Sequence, residues 1–165
     1  YNRMLWVQPD GRIGFYDKRH LFAYADEDKH YTKGETRLIT QVNGWRINLM
    51  VCYDLRFPVW ARNQGDEYDV LLYVANWPEP RSLAWRTLLQ ARAIENQCYV
   101  LASAQGGTHP NGRRTWGHSM VIGPWGEVLQ VLPEGEGVVM AELDPAHIAQ
   151  VRQQLPALGH RRLCL

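Results

Sequence analysis

Apolar positions in the first fifty residues come in short runs broken by turn chemistry, the spacing of strands rather than helices. Residues 3–7 and 13–16 are apolar and aromatic, and Gln8-Pro9-Asp10-Gly11-Arg12 between them predicts a hairpin. Residues 38–42 and 45–51 predict a second hairpin around Asn43-Gly44, a type I′ turn pair. The stretch between the hairpins, 17–34, is polar and irregular, and a loop that long in a small domain usually carries function. Beyond it the pattern changes. A helix is expected from Phe57 to about Asn63, with Pro58 in its first turn. The continuous apolar run 69–75 suits a strand covered on both faces, and Asn76-Trp77-Pro78-Glu79-Pro80 ends it. Ser82 is the expected N-cap of a helix to about Gln97, its core face read as Ala84, Leu88, Ala91, Ile94 and Cys98. Residues 99–103, 119–122, 128–132 and 138–143 are expected strands, 106–117 a glycine- and arginine-rich loop, and 145–154 a last helix. The sum is an α/β fold with two mostly antiparallel sheets packed on each other and helices outside.

Composition narrows the class. At 165 residues the chain is one domain by size, and 45% hydrophobic content with seven Trp and eight Tyr can fill a core. Eighteen Lys+Arg against seventeen Asp+Glu leave a net charge of +1, with no electrostatic case for nucleic acid or a membrane surface. No signal peptide and no membrane-spanning apolar stretch are visible. Three widely spaced cysteines make no disulfide framework, so a cytoplasmic setting is expected. The first residue is Tyr and a strand begins two residues later, so the reading is expected to start inside a larger domain.

The chemistry centres on Val51-Cys52-Tyr53-Asp54-Leu55-Arg56-Phe57-Pro58. A cysteine between a strand end and a helix start sits on a sharp turn, where backbone N–H groups can face whatever its sulfur attacks. The bland reading is a small buried hydrophobe, and it suits Cys98 and the terminal Cys164 better. A thiol nucleophile needs a lowered pKa and a base. No His lies near Cys52 in sequence, though His20, His30 and His118 could approach in space. The polar loop offers Lys18, whose ammonium favours a thiolate and can hold an oxyanion, and Glu27, which can keep that lysine charged and placed.

These residues resemble the nitrilase superfamily of carbon–nitrogen hydrolases. Tyr16-Asp17-Lys18-Arg19-His20-Leu21-Phe22 is similar to its lysine motif, and the Cys52 stretch to its cysteine motif. Val74-Ala75-Asn76-Trp77-Pro78 and Ala91-Arg92-Ala93-Ile94-Glu95-Asn96 resemble its next two blocks, in the same order. Tyr1-Asn2-Arg3 and the Asn-Trp-Pro block look most like the ω-amidase branch, which hydrolyses the side-chain amide of 2-oxo acids such as 2-oxoglutaramate. The resemblance implies an α-β-β-α sandwich missing its N-terminal strands and helices, residues 1–165 being the C-terminal two-thirds of one such domain. It implies a cofactor-free mechanism. Cys52 attacks the amide carbon to form a thioester and release ammonia, Lys18 and the Tyr53 N–H hold the oxyanion, Glu27 positions the lysine, and water frees the acid. It also implies a homodimer. The family's general-base glutamate lies upstream of the lysine motif, and residues 1–17 contain no glutamate, so the 165 residues alone are expected to be weakly active or inactive.

Around the nucleophile, Asn76, Trp77 and Arg56 are the candidate substrate contacts; Trp77 follows a strand's C-terminal end, where α/β folds place ligands. Arg56 could instead pair with Asp54 to brace the turn. Arg113 and Arg114 read as a basic loop, and Glu95 and Asn96 as a structural polar cluster. The six histidines lack HxxH or HExxH spacing, which argues against a metal site. Two other functions remain open: a Cys–His hydrolase using His20 or His118, and a binding or assembly module that has lost catalysis.

Overall fold

Asn43 and Gly44 both take positive φ, 48° and 84°, as the type I′ turn requires. They join β3 (Ile39–Val42) to β4 (Trp45–Val51), with Val42 opposite Trp45. The computed structural model describes residues 1–109 and 112–162. The first hairpin pairs β1 (Arg3–Val7) with β2 (Ile13–Asp17), Met4 opposite Tyr16. It turns Trp6 and Tyr16 inward and leaves Leu5, Val7, Ile13 and Phe15 exposed on its other face.

β4 is also the first of three parallel strands. β5 (Val70–Ala75) follows it through a short helix, α2 (Pro58–Ala61), and β6 (Tyr99–Ala104) follows β5 through α3 (Ser82–Asn96). Parallel neighbours need such crossovers, and these put helices against one face of the sheet. β9 (Met120–Ile122) and β10 (Val128–Val131) extend the sheet antiparallel, giving the order β10-β9-β6-β5-β4-β3. The core fills the space between α3 and the central strands with Met50, Leu71, Tyr73, Trp85, Leu89 and Val100, while Leu49, in register with Leu72, is buried on the other face. A last helix, α4 (Pro145–Gln154), starts at Asp144, whose side chain accepts from the Ala146 N–H at 2.8 Å.

Five expectations are corrected. The polar loop holds a 3-10 turn at Ala23–Ala25 and one helical turn, α1 (Glu27–His30). The expected helix 57–63 splits into a 3-10 segment, Cys52–Arg56, and α2, because Asn63 is taken out of it. Asn63 donates to the Tyr68 and Asn96 carbonyls and receives the Glu67 N–H, anchoring a loop instead. Arg81, not Ser82, caps α3, and the buried face of α3 is Trp85, Leu89, Arg92, Ala93 and Asn96, with Ile94 exposed. The loop 106–117 contains a small hairpin, β7 (Gly106–Thr108) and β8 (Arg114–Trp116). Residues 138–143 form no strand: Val138 and Met140 point to solvent and pair with no strand among the described residues.

Candidate active site

Because β4 and β5 run parallel and in register, Val51 beside Val74, their C-terminal ends open at one edge of the sheet. That places Cys52 beside Asn76, and the Cys52 thiol lies 3.7 Å from the Asn76 carbonyl oxygen, to which it donates. Cys52 itself takes φ +48°, a left-handed conformation costing a non-glycine residue about 1 kcal/mol. The surrounding packing enforces it. Met50 and Val51 are buried before the turn, and Asp54 and Leu55 are fully buried after it.

Asp54 fastens the turn to the lysine-bearing strand. One of its oxygens accepts from the Tyr16 hydroxyl at 2.7 Å and the Val51 N–H at 3.1 Å. The other accepts from the His20 N–H at 2.9 Å and lies 2.8 Å from His20 Nδ1. The Tyr16 hydroxyl in turn accepts from Trp60 Nε1 and the Arg19 N–H, so β2, the Cys52 turn and α2 share one buried network. Burial, followed by the Asp54 charge, pushes the Tyr16 phenol far above its ordinary value, so it stays a donor to Asp54. Arg56 has no part in this network and leaves bracing to Tyr16 and His20; its guanidinium lies over the Trp77 ring at 5.4 Å.

Lys18 follows β2 and is 3% exposed. Its N–H donates to the Asn2 carbonyl, and its carbonyl accepts from Gly34, closing the polar loop on itself. A Cβ on Gly34 would collide with the Asp17 carbonyl, so only glycine lets the loop return this close. The Lys18 ammonium meets Glu27 Oε2 at 2.6 Å. Glu27 also accepts from the Phe22 N–H at 2.6 Å and from the Asn2 amide at 2.8 Å. Burial alone would raise the Glu27 carboxyl, but these hydrogen bonds outweigh it and hold it below the usual carboxylate range. Lys18, Glu27 and Cys52 border one cleft with Asn2, Asn76 and His109.

Burial pushes the Cys52 thiol up. Lys18 opposes that, as the sequence predicts, but the Lys18 charge is tied to Glu27, and Glu27 and Asp54 themselves push the thiol higher. The resting group is therefore a thiol that needs a proton acceptor when it attacks. The Tyr53 N–H lies in the first turn of the 3-10 segment, where amides lack partners within the segment.

A pocket of about 200 Å³ adjoins this cleft, sharing Phe22, Cys52, Asn76 and His109 with it; it is walled by Tyr53, Trp77 and Phe22 and bordered by Arg56, Asn76, Arg81, His109 and Arg113. Trp77 is buried and donates through Nε1 to the Arg81 carbonyl at 2.8 Å. Sequence reasoning missed Asn2, Arg81 and His109. Asn2 lies within the quoted Tyr1-Asn2-Arg3 stretch without a role assigned to it, Arg81 follows the Asn-Trp-Pro block, and only the folded chain brings them to the site. His20 is occupied with Asp54 and stacks on Phe57, and the His118 ring packs on Trp116. Cys98 is fully buried between α3 and β6, and Cys164 lies outside the described residues. No group of three His, Cys, Asp or Glu among the described residues is placed to hold a metal ion. No helix among them is long and apolar enough to cross a membrane.

A parallel-centred sheet backed by helices, carrying a cysteine and a lysine–glutamate pair at its strand ends, has close counterparts. The carbon–nitrogen hydrolase family signature matches residues 1–153, and the chain belongs to that family. Omega-amidase YafV of Escherichia coli (strain K12) is 52% identical over 157 residues, covering 94% of this chain and 61% of that protein. The 2-oxoglutaramate amidase of Bacillus subtilis (strain 168) is 40% identical over 164 residues, 98% of this chain and 63% of that protein. Among solved structures, the CN-hydrolase superfamily protein XC1258 from Xanthomonas campestris superposes with a TM-score of 0.97 at 43% identity, over 100% of this chain and 65% of that one. The fold is thus the nitrilase-type sandwich, and the chain spans less than two-thirds of the length of these relatives.

Proposed function

We propose that the protein hydrolyses the ω-amide of a 2-oxo acid, of the 2-oxoglutaramate kind, to the acid and ammonia through a thioester on Cys52. The observation that carries this reading is the convergence of a Cys52 thiol on a strained turn with a buried Lys18–Glu27 pair in one cleft. The 52% and 40% identities to an ω-amidase and a 2-oxoglutaramate amidase support the substrate class. In this reading the Cys52 sulfur bonds to the amide carbon, and the charge on the amide oxygen is met by the Lys18 ammonium and the Tyr53 N–H. The C–N bond then breaks as the nitrogen takes up a proton and leaves as ammonia, and water cleaves the thioester. Glu27 positions Lys18, while Asn76, Trp77 and Arg56 line the substrate side.

The acceptor for the Cys52 proton is the one role with no residue assigned. The family resemblance puts it on a glutamate upstream of the lysine motif, and residues 1–17 contain none. The 165-residue chain is therefore expected to release ammonia from 2-oxoglutaramate slowly, and a chain carrying that glutamate to do so about 10²–10⁴-fold faster. Both rates vanish in Cys52→Ser. Ammonia release that survives this substitution would sink the reading. We further infer a cytoplasmic homodimer. The free thiols of Cys52 and Cys98 suit a reducing compartment, and Val59 on α2 with Leu83 and Ile94 on α3 leave apolar side chains exposed on the helices. Sedimentation at several concentrations tests the assembly.

A further inference from the structure

Lys18 and Cys52 come from separate parts of the chain, and one buried carboxylate joins them. Asp54 follows Cys52 by two residues, and the residues two before and two after Lys18 both bond to it. Tyr16 donates to one Asp54 oxygen at 2.7 Å. His20 meets the other oxygen twice, through its backbone N–H at 2.9 Å and through ring Nδ1 at 2.8 Å. An ionised carboxylate only accepts, so Nδ1 carries the hydrogen, and it keeps that hydrogen in either charge state of the ring.

The two anchors are not equivalent. Tyr16 belongs to β2, where pairing with Met4 already fixes the backbone. β2 ends at Asp17, and His20 lies in the irregular stretch between that end and the turn at Ala23–Ala25. Lys18 itself bonds to Asn2, Gly34 and Glu27, all in the hairpin and loop that carry it. Toward the Cys52 turn, the backbone just past Lys18 is held by His20. A second contact sets the His20 ring there: it lies flat on Phe57, with centroids 3.8 Å apart and planes 4° from parallel. Phe57 closes the 3-10 segment that Cys52 opens, and Trp60 on α2 meets the same ring edge-on at 6.2 Å. The neighbouring crossings are ring contacts, which fix a backbone less tightly than hydrogen bonds to a buried charge. Arg19 lies over Trp60 at 5.2 Å, Phe22 meets Tyr53 at 4.9 Å, and Arg81 lies over Phe22 and Tyr24 at 5.6 Å and 5.3 Å.

We propose that His20 is a positioning residue, whose hold on Asp54 and Phe57 sets the distance between the Lys18 ammonium and the Cys52 sulfur. It acts through the lysine and does not touch the reacting atoms. This role rests on the amidase reading for the pair it aligns. Lys18, Glu27 and Asp54 are the charges that act on the sulfur, so the thiol itself reports how near the lysine is held.

The pH midpoint of Cys52 alkylation by iodoacetamide tests this in the unsubstituted protein, Lys18→Gln, His20→Phe and the two combined. Phenylalanine keeps a ring against Phe57 and removes the Nδ1 donor. Lys18→Gln should raise the midpoint by about 1 pH unit, the low end of what a nearby cation does to an ionising group. His20→Phe should raise it by about half as much, and the combined variant should stop at the Lys18→Gln value, because a displaced lysine has less effect left to lose. His20→Asn, whose amide places a donor where Nδ1 was, should hold the midpoint closer to the unsubstituted value than His20→Phe does. An unmoved midpoint in His20→Phe with only the melting temperature lowered makes His20 a scaffold residue and overturns the proposal. So do additive shifts in the combined variant, no shift in Lys18→Gln, or a His20→Asn midpoint as high as that of His20→Phe. His20→Ala serves the same comparison should His20→Phe not fold, and loss of folding in both overturns the proposal too. Ammonia release from 2-oxoglutaramate separates the two ideas. Non-additive midpoints without any Cys52-dependent release keep the positioning role and remove the amidase. Cys52-dependent release with additive midpoints keeps the amidase and removes the positioning role.

Discussion

At the scale of single residues, the site is a set of charges whose effects on one thiol have opposite signs. Burial raises Cys52, Lys18 lowers it, and Glu27 and Asp54 raise it. Two consequences can be measured by the pH dependence of iodoacetamide alkylation at Cys52. The midpoint should lie above the ordinary thiol value of about 8.5. Lys18→Gln should move it higher, since a stabilising cation is gone, whereas Glu27→Gln should move it lower. A lower midpoint in Lys18→Gln would mean that the lysine does not act on the sulfur. Arg81 and His109 show where sequence stops informing at this scale. Each lies outside the quoted motifs, and neither a stacking partner 57 residues away nor a shared cleft leaves a trace in local spacing.

At the scale of elements, the Cys52 turn is held by partners remote in sequence. Asp54 collects donors from Tyr16, His20 and Val51, and every one of them points hydrogen at it. Asp54→Asn puts an amide against one pair of those donors and should cost about 1–3 kcal/mol in urea unfolding, with slower Cys52 chemistry. Gly34→Ala drives a methyl into the Asp17 carbonyl and should loosen the Lys18 loop at about 1–3 kcal/mol. A fully stable Gly34→Ala protein with unchanged Cys52 alkylation would show that the loop does not depend on that close return. The hairpins, β4, β5 and the long helix were legible because turn pairs and apolar runs act locally. The face of α3 was not. It buries Arg92, which donates to the Leu55 carbonyl, and Asn96, which accepts from the Asn63 N–H, and polar residues in a core mislead any reading of periodicity. The hairpin β7–β8 was hidden for a different reason: glycine and arginine carry weak strand preference, and its pairing is decided by tertiary context. Residues 138–143 failed the other way: Val138-Val139-Met140-Ala141 is a continuous apolar run, but no strand among the described residues lies alongside to pair with it.

At the scale of the whole molecule, α4 is tied to the sheet through Asp69. Arg152 reaches Asp69 at 2.9 Å and also the Tyr68 carbonyl, while Arg46 on β4 grips the same carboxylate at 2.6 Å. Burial works against the Asp69 charge, but the two arginines prevail and hold its carboxyl below the usual range. A carboxyl lowered by folding contributes stability above its unfolded value of about 3.9 and loses it as the pH falls through its folded value. Thermal unfolding should therefore drop steeply below about pH 4, and Asp69→Asn should lower the melting temperature at neutral pH while flattening that acid slope. An unchanged slope would place the acid sensitivity elsewhere, with Glu27 and its lysine the next group to examine.

The left-handed backbone at Cys52 has an evolutionary side. Glycine would sit in that conformation without strain, so substitution there removes the thiol while relaxing the turn. A library of variants sorted for heat resistance alone would have reason to enrich Cys52→Gly, whereas one sorted for ammonia release would discard it. The two selections pull apart at a single codon, because the side chain the chemistry needs sits on a backbone that suits glycine better.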